Sequence, residues 1–258
     1  MTPWFTSPPW LLPALMLIGG APESKLLELY ERACRVEKYR APTEEDLRRF
    51  AEDLSSSLTL KETTALPNEP PQGRGFFLAR GGRSKLFLQA PHARGDDLET
   101  DRIALRLIEI LEPRAVALST VSRRLTDLAH ETDSYLQEAT ETFLAQVDGG
   151  RILQIHGFSR AKRRTEEGRE AEIIVASGQR SATAAARQLA QCLGEQLEVD
   201  ARVYPDVGEL GALRNVQGRA TPPGHFLHVE LGRDLRRRLA ADDRELAVFA
   251  GCLPEGWR

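Results

Sequence analysis

The sequence predicts an α/β fold with three layers (αβα), in which helices cover both faces of a central mixed sheet. Two observations lead to this prediction. From Gly75 onward, short apolar runs alternate with stretches of helical period, an order typical of a sheet covered on both sides. The chain has 258 residues, of which 41 % are apolar and 28 % charged, so it can bury the core of one large soluble domain.

The first 22 residues differ from the rest of the chain. Trp10–Ala21 is an apolar run too short to cross a bilayer, and small residues end it, as in the hydrophobic part of a signal peptide. No Lys or Arg precedes the run, however, and prolines interrupt it. An apolar arm packed on the domain, or a wrongly assigned start, explains the run equally well. A secreted or periplasmic location and a cytoplasmic one therefore both remain open.

Residues 23–74 are predicted to form a short helical appendage and a linker. Residues 23–37 have the apolar period of a helix, and a second helix is predicted from Thr43, because three carboxylates follow in its first turn. Residues 56–74 are polar and contain three prolines, which favours a loop. We expect the main domain to occupy residues 75–258.

The main domain is predicted to contain seven strands and four helices. The strands are residues 75–79, 85–90, 115–119, 151–156, 172–176, 199–204 and 225–231, and the helices are residues 100–111, 132–147, 181–193 and 234–241. The first two strands flank the Gly-rich run Arg80–Arg83, a pattern that predicts a β-hairpin.

Charge and cysteine content exclude several classes of function. The formal net charge is -3, so the chain as a whole lacks the basic footprint of a nucleic-acid-binding protein. We interpret the Arg160–Arg164 and Arg236–Arg238 clusters as solvated faces. Cys34, Cys192 and Cys252 are too far apart for a zinc knuckle. Buried free thiols are expected, with one disulfide as the alternative if the chain is exported.

Two histidines and a carboxylate lie at the ends of predicted strands. His92 and Asp97 follow one strand, and His156 ends another. Such strand ends meet at one edge of an open sheet, and an imidazole beside a carboxylate is a common start of a catalytic zinc site. We therefore expect these three residues to bind one Zn²⁺ per chain, with Asp96 or Glu99 as alternatives to Asp97. Two alternatives remain when these residues are taken singly. The acids are also typical of the first turn of a helix, and each histidine is also explained by a structural role.

Glu230 lies inside the apolar strand of residues 226–231. Burying a carboxylate costs free energy unless it is paired, and it raises the pKa towards the range of a general base. Strand alternation places His228 on the same face as Glu230. An edge strand with a solvent-facing polar side is the alternative explanation.

Basic residues near these strand ends are candidates for binding an anionic substrate. Arg219, with Asn215, lies in the loop before the Glu230 strand, and an arginine can bind a carboxylate through two parallel hydrogen bonds. Arg123, Arg124 and His130 lie in a second polar loop and form a second group of candidates.

These motifs carry a resemblance to a known family. The run PHARGDDLETDRIA (residues 91–104) resembles, without a gap, the first metal loop of the poly-γ-glutamate hydrolases of phages and bacilli, PHGGGIEPGTSEIA. His92 falls on the histidine ligand and Asp97 on the glutamate ligand of that family. The family's later HG motif, its asparagine–arginine loop and its QLE motif are similar, in the same order, to residues 156–157, 214–219 and 228–230.

A second family shares part of the pattern. SRRLTDLAH (residues 122–130) and HVELGRDLR (residues 228–236) resemble the SRxxxDLNR and HVEIRxDL segments of N-formylglutamate amidohydrolases. Both families belong to the zinc carboxypeptidase-like group, and the likeness covers residues 76–239.

The resemblance implies zinc-dependent hydrolysis of an amide next to a carboxylate, in a small acidic amide or peptide such as an N-acyl-glutamate or γ-glutamyl compound. Glu230 would act as the base, Arg219 and Asn215 would bind the substrate carboxylate, and Arg123 or Arg124 would stabilise the oxyanion. His130 replaces the last arginine of the amidohydrolase motif, so the substrate stays open. The rival hypotheses are a non-catalytic member of the fold that binds acidic peptide or cell-wall fragments, and a structural domain whose histidines lie far apart.

Overall fold

A computed structural model describes residues 16–17, 23–35, 39–66, 73 and 75–257. Within these residues, nine strands form one mixed sheet in the order β1-β2-β3-β5-β4-β6-β9-β7-β8. The strands are β1 Met16–Leu17, β2 Thr64–Ala65, β3 Phe76–Ala79, β4 Leu86–Ala90, β5 Ala115–Leu118, β6 Arg151–Phe158, β7 Ile173–Ala176, β8 Ala201–Val203 and β9 Phe226–Gly232.

Helices cover both faces of this sheet, which confirms the predicted αβα layers. The helices are α1 Glu23–Ala33, α2 Glu44–Ser57, α3 Thr100–Leu111, α4 Tyr135–Gln146, α5 Glu166–Glu170, α6 Ala184–Leu197, α7 Val216–Ala220, α8 Arg233–Ala241 and α9 Asp243–Gly251. Side chains of α1, α3, α6, α8 and α9 form one core with the sheet, and side chains of α2 and α4 form a second core. Within the described part of the chain, no helix is long and apolar enough to span a membrane.

The centre of the sheet is parallel. β4 pairs in parallel with β5 and β6, and β6 pairs in parallel with β9. The predicted hairpin between the first two strands of the main domain is wrong, because β5 lies between β3 and β4 and pairs antiparallel with β3. Every residue of β4 is buried, as expected of a central parallel strand with partners on both edges.

The helices at the N-terminal end pack against the main domain. Thr43 caps α2, since its hydroxyl accepts a hydrogen bond from the Asp46 amide and the Asp46 carboxylate accepts one from the Thr43 amide. Phe50 of α2 packs edge-on against Phe77 and Tyr135, with ring centroids 4.8 and 5.2 Å apart. The predicted linker contains β2, which joins the sheet. Of the apolar run Trp10–Ala21, all but the two residues of β1 lie outside the described residues.

A disulfide bond joins Cys192 of α6 to Cys252, which follows α9. Free thiols were expected at these positions, so that expectation is wrong for this pair. The two cysteines are separated by 60 positions in the sequence, and only the packing of α6 against α9 brings them together. Cys34 is not disulfide-bonded.

Candidate active site

Strand register arranges polar side chains in rows on one face of the sheet centre. Gln89, Gln154 and His228 lie side by side on β4, β6 and β9, and His156 lies beside Glu230 in the next row. Alternate residues of the same strands belong to the apolar core on the opposite face. The carboxyl ends of three neighbouring strands therefore present one polar surface.

The atoms of three predicted metal ligands meet at this surface. His92 Nδ1 lies 3.3 Å from Asp97 Oδ2 and 3.3 Å from His156 Nδ1, and His156 Nδ1 lies 3.6 Å from Asp97 Oδ2. Two ligands of one tetrahedral zinc ion, each about 2.0–2.1 Å from the metal, lie about 3.3 Å apart. The three side chains thus form a triangle of the size that a metal ion requires, and we call them the metal triad.

Neighbouring groups orient each member of the triad. The other ring nitrogen of His92 hydrogen-bonds Asp127 Oδ1 at 2.8 Å, and that of His156 hydrogen-bonds Gln154 Oε1 at 3.1 Å. The Gly157 amide donates to Asp97 Oδ2 at 2.9 Å. Metal-binding histidines are commonly held in this way, with the second nitrogen donating to an acceptor and the first facing the metal.

A buried network of side-chain amides holds Gln154. Its Nε2 donates to Gln89 Oε1 at 2.7 Å and to Gln217 Oε1 at 3.2 Å, while Asn215 Nδ2 donates to Gln154 Oε1 at 2.7 Å. Gln89 donates in turn to the Thr140 hydroxyl of α4 at 2.9 Å. Because the donors and acceptors of this network are matched, the carbonyl end of Gln154 faces His156.

Burial and hydrogen bonding have opposite effects on the pKa of each triad residue: burial disfavours the charged form, and hydrogen bonds favour it. Burial acts to lower the pKa of His92, but hydrogen bonds to Asp127 and Asp97 outweigh it and raise the pKa to about 9. Burial acts to raise the pKa of Asp97, but its hydrogen bonds with His156 and His92 hold it well below its usual range. Burial lowers the pKa of His156 to about 4, although Asp97 opposes this.

Glu230 lies beside the triad and is buried. Burial raises the pKa of its carboxyl to about 8, and the charge of Asp97 adds to the effect. Among the described residues, Glu230 Oε2 and His228 Nδ1 have no hydrogen-bond partner. The His228 ring stacks on His156, with centroids 4.2 Å apart, and its Nε2 lies 3.8 Å from Glu230 Oε1. His156, His228 and Glu230 also form a group that could bind a metal, but Glu230 and His228 lie farther apart than any two atoms of the triad.

These residues lie at the bottom of a cavity of about 730 Å³. Its floor, defined as His92, Asp97, His156, His228 and Glu230, is buried. Its rim, defined as Arg123, His130, Lys162, Arg163, Arg164 and Arg214, is half-buried or exposed. The cavity therefore combines a buried polar floor with a cationic rim.

The alternative carboxylates to Asp97 have other partners. Asp96 Oδ2 accepts a hydrogen bond from the Arg123 amide at 2.7 Å, and Glu99, at the start of α3, lies 3.6 Å from Arg102. Asp127 is the carboxylate that the sequence did not single out, although it lies within the SRRLTDLAH motif. It hydrogen-bonds His92, and it also lies 2.8 Å from Arg123.

The predicted substrate-binding residues divide into two groups. Arg123 and His130 line the cavity, whereas Arg124 and Arg219 do not. Arg219 Nε donates to the Leu213 carbonyl at 3.2 Å, and Arg214 of the same loop lines the cavity instead.

The side chain of Asn215 also lines the cavity, but both of its polar atoms are engaged within the protein. Asn215 caps α7, since its Oδ1 accepts a hydrogen bond from the Gly218 amide at 2.8 Å, and its Nδ2 donates to Gln154. The structure thus ties Asn215 to the network behind the triad.

The two arginine clusters match the expected solvated faces only in part, since Arg237 and Arg238 are exposed but other members are not simply solvated. Arg236 is buried, and it donates hydrogen bonds to the carbonyls of Leu231 at 2.6 Å and Leu98 at 2.7 Å. A side chain at Gly157 would collide with its guanidinium group and displace it from these carbonyls. In the Arg160–Arg164 cluster, residues 162–164 line the cavity. A basic run alone could not reveal either role, because both depend on tertiary packing.

Comparison with protein-family models gives no match, and comparison with curated proteins gives none either. Among solved structures, the chain is similar to a bacteriophage poly-γ-glutamate hydrolase, with 14 % identity, a TM-score of 0.43 and coverage of 67 % of this chain and 83 % of that one. It is similar to N-formylglutamate amidohydrolase from Ralstonia eutropha, with 13 % identity, a TM-score of 0.45 and coverage of 69 % and 96 %. It is also similar to a metallo-carboxypeptidase from Burkholderia cenocepacia, with 11 % identity, a TM-score of 0.40 and coverage of 82 % and 68 %. All three likenesses are distant, with TM-scores of 0.45 or less.

Proposed function

We propose that this chain is a zinc-dependent hydrolase that binds one zinc ion per chain and cleaves an amide bond next to a carboxylate. The observation that carries the proposal is the metal triad, whose ligand atoms lie 3.3–3.6 Å apart beside the buried Glu230. Two histidines and one carboxylate are the ligand set of many catalytic zinc sites, which keep a further position open.

The surroundings of the triad suit a zinc ion. His92 and His156 each direct Nδ1 into the triangle while the other nitrogen is held by Asp127 or Gln154. Bound there, zinc would polarise a carbonyl and lower the pKa of water to about 7. Asp97 would balance part of the metal charge and keeps its position through the Gly157 amide.

Glu230 is the group best suited to move protons. A general base works best when its pKa lies near the working pH, and burial raises the pKa of Glu230 into that range. We infer that Glu230 takes a proton from the attacking water and passes it to the leaving amine. The open lone pairs of its Oε2 atom leave it free to accept that proton.

Basic residues of the rim would bind the anionic parts of the substrate. Arg123 lines the cavity and lies 2.8 Å from Asp127, which contacts His92, so we assign the stabilisation of an oxyanion to Arg123. For the carboxylate next to the scissile amide, Arg214 is better supported than Arg219, because Arg214 lines the cavity. His228 would support the site from within the floor, and Asn215 would do so through its hydrogen bond to Gln154.

Metal analysis together with an amidase assay tests this proposal. The purified protein should contain one zinc ion per chain and should hydrolyse an N-acyl-glutamate faster than a matched neutral amide. A chelator should remove both zinc and activity. His92→Ala should lose zinc, whereas the control His225→Ala should keep it, because His225 bonds the Gly150 carbonyl and does not line the cavity.

A protein that binds an acidic peptide without stoichiometric zinc would instead be the non-catalytic relative considered above. Hydrolysis that survives both the chelator and His92→Ala would also contradict the proposal.

A further inference from the structure

Three cations of the cavity rim, Lys162, Arg164 and Arg214, have no acidic partner among the described residues. Lys162 and Arg164 line the cavity, yet neither side chain forms an ion pair there. Elsewhere in the described chain, arginines such as Arg202 and Arg238 pair with carboxylates at 2.6–2.7 Å. An exposed cation is usually only solvated, so the position of these two within the cavity is what needs an explanation.

The loop that carries them is held in a defined shape. Glu209 accepts hydrogen bonds from the amides of Arg164 and Thr165, both at 2.9 Å, and from the Thr165 hydroxyl at 3.1 Å. Arg169 donates to the carbonyls of Arg163 and Arg164 at 3.2 and 2.9 Å. Both the amides and the carbonyls of this loop are therefore satisfied within the protein.

These contacts also occupy the carboxylate of Glu209, which would otherwise neutralise positive charge on the rim. Besides these amides, Glu209 lies 3.5 Å from the Arg163 guanidinium, so the charges of Arg163 and Glu209 offset one another. The charges of Lys162 and Arg164 remain. At the floor, Asp97 and Glu230 each belong to a buried group of side chains that could bind a metal, so we do not count them as partners of the rim. A concave surface with excess positive charge attracts anions.

The size of the cavity indicates how large that anion is. A volume of about 730 Å³ is within the range of about 300–1,000 Å³ that is typical of pockets for drug-sized ligands. One carboxylate beside the scissile amide is accounted for by Arg214, which lies on a different loop. Lys162 and Arg164 are thus available for a second anionic group of the same ligand.

We propose that Lys162 and Arg164 form a second anion subsite, which binds a carboxylate one or more residues away from the scissile amide. The substrate is then an acidic peptide that carries several carboxylates, and a single N-acyl-amino acid occupies only part of the cavity. This inference rests on the proposed function, which assigns the scissile amide to the floor.

Equilibrium binding to zinc-loaded, full-length Glu230→Gln tests the subsite without turnover. Isothermal titration calorimetry is carried out with triglutamate and with N-acetylglutamate. Adding Lys162→Gln and Arg164→Gln should weaken triglutamate binding by roughly 10–100-fold, the loss of one or two charge-assisted contacts, and N-acetylglutamate binding by less than about 3-fold. The charge-matched control adds Lys25→Gln and Arg102→Gln, two exposed positions outside the cavity, and should change neither ligand.

Four outcomes overturn the subsite, and the fourth leaves the proposed function standing. The first is an equal loss for both ligands, and the second is an equal loss in the charge-matched control. The third is inorganic polyphosphate binding more tightly than triglutamate and depending more on the two cations, which would point to a phosphate polymer. If N-acetylglutamate binds and triglutamate gains nothing over it, the subsite fails while the proposed function stands. If neither glutamate ligand binds, the proposed function is contradicted as well.

Discussion

The floor and the rim of the cavity are built in different ways. On the floor, His92, Asp97 and His156 are buried and each is held by a further hydrogen bond, so the geometry exists before any ligand binds. On the rim, Lys162 and Arg164 are exposed and have no ion-pair partner among the described residues. The proposed function accordingly assigns the chemistry to the floor and the choice of substrate to the rim.

The largest expected effect belongs to the floor. Glu230→Gln keeps the shape of the side chain and removes the base, so it should lower kcat by roughly 10²–10⁴-fold while zinc content and fold stay unchanged. Steady-state kinetics with metal analysis measures this. A matched control is Glu245→Gln, at an exposed ion pair with Arg238 outside the cavity. Turnover within a few-fold of the parent would reduce Glu230 to a structural residue of β9.

The amide network behind the floor should contribute to metal affinity. Gln154→Leu removes the acceptor that holds His156, so we expect zinc affinity to fall by roughly 10–100-fold, as for other groups that orient a metal ligand. Competition with a chromogenic chelator measures the affinity. Gln191→Leu, at an amide that pairs with Glu195 on α6, should bind zinc like the parent. If the two variants bind zinc alike, the network has no positioning role.

Zinc binding should depend on pH through His92. Its pKa is raised to about 9, so at pH 7 the ring carries a proton that must leave before Nδ1 can bind a metal. We therefore expect one proton to be released from His92 per zinc bound, with affinity rising about tenfold per pH unit until about pH 9. Calorimetry in two buffers of different ionisation enthalpy counts the protons. Affinity that is constant between pH 6 and 8 would show that His92 is already neutral.

The smallest expected effect compares two arginines of one loop on the rim. Arg214→Ala should lower kcat/KM for an N-acyl-glutamate by about tenfold, the loss of a charge-assisted contact, and should spare a neutral amide. Arg219→Ala should change either rate by less than about 3-fold, because Arg219 donates to the Leu213 carbonyl and does not line the cavity. A larger loss of kcat/KM in Arg219→Ala than in Arg214→Ala would show that Arg219 binds the substrate carboxylate.

Much of the floor was predictable from the sequence because strand ends carry it. His92 follows one buried strand, His156 and Glu230 lie near the carboxyl ends of two others, and parallel pairing brings these ends together. The limits of α3 were predicted as residues 100–111, since its apolar face has a regular period.

The rim residues, the hydrogen-bond partners of the floor and the order of the strands were less predictable, because they depend on contacts between distant segments. Arg214 and Arg219 lie in the same predicted loop, and the sequence does not distinguish them. Only the path of that loop in the fold places Arg214, and not Arg219, in the cavity. Asp127 and Gln154 are single polar residues, and they form hydrogen bonds with residues 35 and 65 positions away in the chain. The hairpin prediction failed for the same reason, since β5 reaches its place between β3 and β4 from a later part of the chain.

The Cys192–Cys252 bond makes the redox environment part of the stability of the site. The covalent loop that it closes contains Arg214, Asn215 and Glu230 but none of the metal triad. A cross-link over 60 positions restricts the unfolded chain and contributes up to about 4 kcal/mol to the free energy of unfolding. The segment that carries Arg214, Asn215 and Glu230 is therefore covalently closed at both ends, and we expect a reducing environment to loosen this segment while the metal triad keeps its own contacts.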